Sequence, residues 1–295
     1  MMKYLYYPGC SLKSTGRAYE ESLLAVFGAL GVQLEEIDDW NCCGATAYMA
    51  VDELKAFSLA ARNLALAEKQ VGAGNTAEVV APCAACFLVQ YKAQKYMKEY
   101  PQVEKEVRVA LQSIGLHYDG KVNIRHPIEV LLRDIGVERI KEHVKRPLKG
   151  LKIACYYGCQ LVRPYPVFDD PHNPKTKELL MQTLGAETVD WPLKTRCCGG
   201  SLTGTMGEIG LPLSHAILRE AHRRGADVIA TSCPLCQFNL ECYQDQKTPG
   251  IEKTRIPVAF FTQLMGLAMG LSEKELGLQR LFVPVAPVLK SGERA

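Results

Sequence analysis

The chain has 295 residues, 47% of them apolar and 23% charged, which is the profile of a soluble globular protein with room for two cores of ordinary size. A net charge of +3, with no long Lys/Arg block, excludes nucleic acid as a partner class. Twelve cysteines are the anomaly. The first ten residues carry one lysine and no apolar stretch of signal-peptide length, so the expected location is cytoplasmic. The longest apolar stretch, Pro257 to Leu271, is interrupted by Thr262 and Gln263 and falls short of the roughly 20 residues that a bilayer span needs. No membrane span is expected. A reducing cytosol removes the usual reason for carrying many cysteines, so metal or redox chemistry becomes their default role.

In chain order, an apolar strand at Lys3 is followed by an amphipathic helix over Arg17 to Leu30 and a strand over Val32 to Ile37. A helix over Val51 to Lys69 and a strand over Glu78 to Ala81 come next, and then a segment from Val122 to Leu132 that reads as a short strand running into a helix. The stretch Glu138 to Gly150 is rich in lysine, with Pro147 and Gly150 near its end, and reads as a linker. Beyond it come a strand from Lys152, a helix over Lys175 to Leu184, a strand near Thr188, a helix over Leu211 to Arg224 and a strand over Asp227 to Ala230. The segment Ile256 to Met265 again reads as strand into helix. This alternation predicts an α/β fold with small, mainly parallel sheets flanked by helices.

The second half repeats the first. Lys3 to Cys10 (KYLYYPGC) matches Lys152 to Cys159 (KIACYYGC) without a gap. Asn41-Cys42-Cys43-Gly44 matches Arg196-Cys197-Cys198-Gly199, and Val79 to Cys86 (VVAPCAAC) matches Val228 to Cys236 (VIATSCPLC) with one inserted residue. Two pseudo-symmetric cysteine-rich domains follow, residues 1–148 and 149–295.

The repeat sorts the cysteines into two sets of five: Cys10, Cys42, Cys43, Cys83 and Cys86, then Cys159, Cys197, Cys198, Cys233 and Cys236. Each set falls where strands end, so loops from one sheet edge can bring it together. Each Cys-x-x-Cys opens a helix, where the amino-terminal dipole favours the thiolate. Cys155 and Cys242 remain, and Cys155 lies close enough to compete with Cys159; the gapless match to Cys10 selects Cys159. A structural zinc takes four ligands and would be overfilled by five. An odd set cannot pair internally as disulfides. Iron–sulfur ligation by thiolates fits, with one thiol beyond what an ordinary cubane uses.

The doubled pattern of one cysteine, a Cys-Cys pair and a Cys-x-x-Cys resembles the cysteine-rich CCG domain family, and within it the B subunits of heterodisulfide reductases. The resemblance covers both halves, and all ten cysteine positions are present. It implies two noncubane 4Fe-4S clusters, each held by one set of five cysteines. It further implies an oxidoreductase that reduces the CoM-S-S-CoB disulfide of methanogenesis, bound between the clusters, to two thiols, each cluster capturing one sulfur. Its heterodisulfide reductase partners would be the small ferredoxin-like C subunit, together with the flavin-bearing A subunit. Other members of the family serve glycolate, lactate or glycerol-3-phosphate oxidation or quinone-linked electron transfer, and a non-catalytic electron-transfer module is a further alternative. No glycine fingerprint for a nucleotide sits between a strand and a helix in this chain, so electrons are expected from a docked carrier.

Three further residues are candidates for substrate contact. Arg163 and Arg196 lie close in sequence to the second set and would suit an anionic disulfide, although solvated loop charge is the plainer role. His126 sits where a strand meets a helix, a place that could bring a proton donor towards the first set, or simply a structural histidine.

Overall fold

The computed structural model describes residues 2–45, 47–246, 254–286 and 289. Its contacts divide the chain into two units, Met1–Lys13 with Gly31–Pro127, and Ser14–Leu30 with Ile128–Ala295. A cut at 148/149 marks the sequence repeat, whereas packing lends residues 14–30 of the first repeat to the second unit.

In the first unit, β1 (Met2–Tyr6), β2 (Val32–Glu36), β3 (Ala77–Val80) and β4 (Val122–Arg125) form a sheet in the order β2-β1-β3-β4. All pairings are parallel, with Tyr6 beside Glu36 and Val80, and Val80 beside Arg125. Between β1 and β2 run a single turn, α1 (Gly9–Leu12), and α2 (Arg17–Ala29). After β2 come the short α3 (Ala47–Val51) and the long α4 (Glu53–Val71), whose first turn is capped by the Asp52 carboxylate accepting from the Lys55 amide at 3.1 Å. Phe57, Ala60, Ala61 and Leu64 give α4 its buried stripe. After β3, α5 (Ala84–Glu99) leads into α6 (Pro101–Gln112), which Pro101 starts and which buries Val107 and Leu111. The helix α6 is not among the elements expected from the sequence, although Pro101 and the pair one turn apart are its signals.

The second unit repeats the plan. Its strands β5 (Lys152–Cys155), β6 (Glu187–Thr188), β7 (Val228–Thr231) and β8 (Val258–Phe260) are parallel in the order β6-β5-β7-β8. The α/β expectation therefore holds twice over. The chain reaches this sheet through α7 (Pro127–Val130), a π-turn at Leu131–Ile135 and α8 (Val137–Glu142). The expected linker from Glu138 thus begins as helix: Ile140 is buried, and the Arg139 guanidinium donates to the Leu30 carbonyl at 2.6 Å. Lys145 and Arg146 both donate backbone N–H groups to the Ala268 carbonyl at 2.8 Å. Lysine content marked exposure on one side of this stretch, not looseness of its backbone.

Around the second sheet stand α9 (Thr176–Thr183), α10 (Leu202–Thr205), α11 (Gly207–Arg223), α12 (Pro234–Cys242) and α13 (Phe261–Ala268). The α2 helix packs on α13 and β8: the Tyr19 ring stacks on Phe260 at 4.5 Å, and the Ser22 and Thr262 hydroxyls are 2.6 Å apart. Its Glu21 also takes a two-pronged bond from Arg280. No helix among the described residues is long and apolar enough to cross a membrane.

The burial pattern of α2 makes a direct expectation. Leu23 is fully buried and Leu24, next to it, is 41% exposed. Leu23→Ala should cost about 3 kcal/mol in urea unfolding, by loss of transfer energy and a residual cavity, while Leu24→Ala should stay within about 0.5 kcal/mol.

Candidate metal centre

The thiols sit at the carboxyl edge of each sheet, beside the switch where the chain leaves the central strand in opposite directions. In the first unit Cys10 lies on α1 after β1, Cys42 and Cys43 on the loop after β2, and Cys83 caps α5 with Cys86 in its first turn, after β3. The three loops bring their sulfurs together. The Cys42 and Cys10 sulfurs are 3.8 Å apart and those of Cys43 and Cys86 are 3.3 Å apart, with Cys42 hydrogen-bonded to Cys43 and Cys83 to Cys86. Cys43, Cys83 and Cys86 are buried, and Cys10 and Cys42 reach the surface.

The second unit reproduces this arrangement. Cys198 and Cys236 are 3.5 Å apart, Cys159 hydrogen-bonds to Cys197, and Cys233, the cap of α12, hydrogen-bonds to Cys236. Cys198, Cys233 and Cys236 are buried, Cys159 is half-buried and Cys197 is exposed. Cys155 is fully buried, with Glu178, Lys177, Lys194 and Lys175 as its electrostatic neighbours.

Why these backbones turn as they do follows from two glycines and two tyrosines. Gly9 and Gly158 adopt φ of +68° and +72°, and a Cβ there would stand 2.9 Å from the Cys86 sulfur and 3.1 Å from the Cys236 sulfur. Only glycine gives both the left-handed turn and the room. Tyr7 and Tyr156, fully buried, each donate their hydroxyl to the carbonyl just before a Cys-Cys pair, Asn41 at 2.7 Å and Arg196 at 2.6 Å. These braces are not among the residues singled out from the sequence. Their signal was the tyrosine two places before the glycine at matching points of both repeats.

The thiols hold each other's protons. Hydrogen bonds from Cys10 and Cys43 lower Cys42 to about 2, and the same bonding pushes Cys43 up to about 12 and raises Cys10. In the second unit the bond from Cys159 lowers Cys197 to about 6 and raises Cys159, while the bond from Cys236 lowers Cys198 and raises Cys236. Backbone N–H groups of Gly44, Ala45, Gly199 and Gly200 point at Cys42, Cys43, Cys197 and Cys198 in turn. Five ionised thiols could not crowd this closely without multivalent positive charge among them.

None of the twelve cysteines is joined in a disulfide. Among the described residues no three His, Cys, Asp or Glu side chains are arranged to hold a single metal ion. Five donors in touching pairs, amide N–H groups aimed at sulfur and helix amino termini at each Cys-x-x-Cys fit a multi-iron centre better than one zinc.

The other candidates lie at the edges of these sets. Arg163 is half-buried and donates to the Thr195 carbonyl, and its Nε has no partner among the described residues. Arg196 is exposed beside Cys197. His126 is fully buried, its Nε2 3.0 Å from the carbonyl of Pro82 and its ring edge-on to Phe87. That contact steadies the turn entering Cys83.

A buried polar group behind the second set had no sequence signal. Lys177 is fully buried, its ammonium 2.6 Å from the Tyr156 carbonyl, 3.3 Å from the Ser232 hydroxyl and 4.5 Å over the Tyr157 ring. Burial lowers it to about 8. Glu178 bonds Tyr157 and pairs with buried Lys194 at 2.6 Å.

A family model described as a cysteine-rich domain, CCG, matches the chain twice, at residues 4–89 and 153–241. The chain is 33% identical to the 8-methylmenaquinol:fumarate reductase membrane anchor subunit of Wolinella succinogenes, over 94% of this chain and 95% of that one. It is 32% identical to a protein of Archaeoglobus profundus named as like the B subunit of heterodisulfide reductase, over 94% of each. It is 28% identical to the B subunit of the ferredoxin:CoB-CoM heterodisulfide reductase of Methanosarcina mazei, over 95% of this chain and 93% of that one. Among solved structures, a hypothetical protein from Helicobacter pylori shares the fold with a TM-score of 0.74 at 13% identity, over 96% of this chain, which spans 52% of that protein. With its module present in both halves, and with heterodisulfide reductase relatives aligned along nearly its whole length, the chain belongs to the cysteine-rich CCG domain family.

Proposed function

We propose that this chain is the iron–sulfur subunit of a multi-subunit oxidoreductase of the heterodisulfide reductase type. Its two sets, Cys10, Cys42, Cys43, Cys83 and Cys86, and Cys159, Cys197, Cys198, Cys233 and Cys236, each hold one noncubane 4Fe-4S cluster, and a disulfide is reduced there to two thiols. The observation that carries this reading is the meeting of five thiols from three strand-end loops, once in each unit. The relatives named for heterodisulfide reductase support the disulfide as substrate, with CoM-S-S-CoB as its form.

Bound there, such clusters supply single electrons and iron sites able to receive sulfur, and cleaving a disulfide needs two electrons. The protein's part is positional. Tyr7 and Tyr156 fix the Cys-Cys loops, Gly9 and Gly158 let the backbone pass close to sulfur, and the amide groups after each Cys-Cys pair offset thiolate charge. Arg196, exposed beside Cys197, and Arg163 offer positive charge to an anionic substrate. The small ferredoxin-like C subunit, together with the flavin-bearing A subunit, would deliver the electrons.

A second reading is quinol-linked electron transfer. The Wolinella relative's name favours it, as do the apolar side chains of Leu202, Met206, Ile209 and Leu213, exposed along α10 and α11 just after the second Cys-Cys pair. Reduced protein separates the two. Oxidation by an anionic disulfide and not by a menaquinone analogue supports the first, and the reverse supports the second.

Anaerobically purified protein should carry about eight iron atoms and eight acid-labile sulfides per chain; colourless, zinc-loaded protein would contradict the proposal. Cys159→Ser should lose about half of the iron, whereas Cys155→Ser should retain nearly all of it, since only Cys159 stands for Cys10 in the second set. Arg196→Glu should raise the KM for an anionic disulfide about tenfold, and an unchanged KM would remove that residue from the substrate site.

A further inference from the structure

The two thiol sets share most of what positions their sulfurs. Each has the tyrosine brace, the glycine beneath the Cys-x-x-Cys, and backbone N–H groups aimed at both members of its Cys-Cys pair. Each has its Cys-x-x-Cys and the second cysteine of its pair buried, and the first cysteine of the pair exposed. Hydrogen bonds to sulfur, solvent exposure and local charge are the levers by which a protein sets the potential of a thiolate-bound iron centre. The first two are broadly alike, with differences at Cys198, which accepts from the Asn239 amide at 3.5 Å, at Cys10, which bonds Ser11, and in the exposure of Cys10 against the half-buried Cys159.

Charge differs sharply. In the second unit Lys177 is fully buried on α9, its ammonium bonded to the carbonyl of Tyr156, whose own hydroxyl holds the Cys197 loop, and to the hydroxyl of Ser232, the residue before Cys233. Its electrostatic neighbours are Cys155, Glu178, Cys236 and Cys233. Glu178, the adjacent carboxylate, is taken up by Lys194 at 2.6 Å, so the two lysines and one glutamate of this group leave a net positive charge; the other buried carboxylates of the second unit, Glu20, Glu129 and Glu241, are not among the neighbours just named, Glu129 pairing with Arg133 and Glu241 bonding Gln237 and the Val283 amide. Lys177 has no carboxylate within ion-pair distance among the described residues. In the first unit Arg125 is the one buried Lys, Arg, Asp or Glu among the described residues, and its guanidinium lies 3.8 Å from Glu78. A cation in a low-dielectric interior is poorly screened and favours whichever neighbouring state is more negative.

We propose that Lys177 biases the two centres apart, so that the centre held by Cys159, Cys197, Cys198, Cys233 and Cys236 accepts an electron before its counterpart in the first unit. The inference rests on the iron–sulfur reading above. The step is a one-electron transfer from an external one-electron donor: the donor is oxidised, the second centre is reduced, and no covalent bond forms or breaks. Lys177 takes no part in bond making; it is a positioning charge. An ordered pair of centres suits two-electron chemistry fed by single electrons, because the first electron then has one defined resting place.

The experiment is a dithionite titration with redox mediators on the full-length protein, following the centres by electron paramagnetic resonance and visible absorbance, with iron and sulfide measured on the same samples. Signals are assigned with Cys10→Ser, which leaves the second centre alone, and Cys159→Ser, which leaves the first. In the unaltered protein the second centre should have the higher midpoint. Lys177→Gln keeps the hydrogen bonding and removes the charge, and should lower that midpoint and leave the first unmoved. Glu178→Gln leaves Lys194 unbalanced and should move the same midpoint upward. A merely structural role for this cluster of side chains would not give opposite shifts from neighbouring residues. If Lys177→Gln fails to fold, the order of midpoints in the unaltered protein and the upward shift in Glu178→Gln still decide. A lower midpoint for the second centre, or equal shifts in both centres, would overturn the proposal; protein with no iron would overturn the cluster reading itself, and is recognised from the metal analysis.

Discussion

Three loops can deliver side chains to one point only where the strands that feed them end side by side. Parallel pairing provides that, since all carboxyl ends then share an edge, and the order β2-β1-β3-β4 makes the loops after β1, β2 and β3 neighbours. Cys10, the Cys42–Cys43 pair and the Cys83–Cys86 pair occupy those three loops and no others. The second sheet, with the order β6-β5-β7-β8, imposes the same solution on Cys159, Cys197, Cys198, Cys233 and Cys236. An antiparallel meander would send alternate loops to opposite edges and split each set.

Convergence alone would produce a heap of thiols repelling one another as they ionise. What makes the arrangement tolerable is that donors face each potential anion: backbone N–H groups at the Cys-Cys pairs and the opening turns of α5 and α12 at the Cys-x-x-Cys pairs. These groups carry only partial charge. They add to the neighbouring thiols Cys10, Cys43 and Cys159, whose hydrogen bonds lower Cys42 and Cys197, and together these can favour one or two thiolates in a set but not five. The protein scaffold therefore stops short of balancing five thiolates, and a polynuclear cation of the kind proposed would complete what it leaves undone.

The fold was legible because alternating helix and strand patterns were punctuated by cysteine motifs at corresponding places in both halves, and a gapless eight-residue match fixed the register between them. Sequence spacing also selected the ten cysteines that the structure draws into two groups, because loops at strand ends leave little choice of where a side chain can go. Contacts made across long separations were not legible. The placement of α2 against α13 depends on Tyr19 meeting Phe260 and Ser22 meeting Thr262, partners some 240 residues apart, and nothing in the local pattern of residues 17–30 distinguishes a face buried at home from one buried elsewhere. The start of α8 inside a lysine-rich stretch was hidden for a related reason: Ile140 and Arg139 find their partners far away in sequence. Lys177 was invisible altogether, since a lysine beside a glutamate on an amphipathic helix ordinarily marks the wet face.

That lysine is also costly to bury unless something negative arrives beside it. A fully buried ammonium gives up hydration worth several kcal/mol, and its partners here, a carbonyl, a hydroxyl and a tyrosine ring, return dipoles and a quadrupole but no counter-charge. The Tyr156 carbonyl it holds belongs to the same residue whose hydroxyl positions the Cys197 loop, so the cost is incurred beside one of the two places where the proposed centres would gain negative charge on reduction. The repeat gives two closely similar sulfur cradles; on the proposed reading, a single charged side chain on the helix behind one of them makes the pair unequal, without moving any atom that touches sulfur.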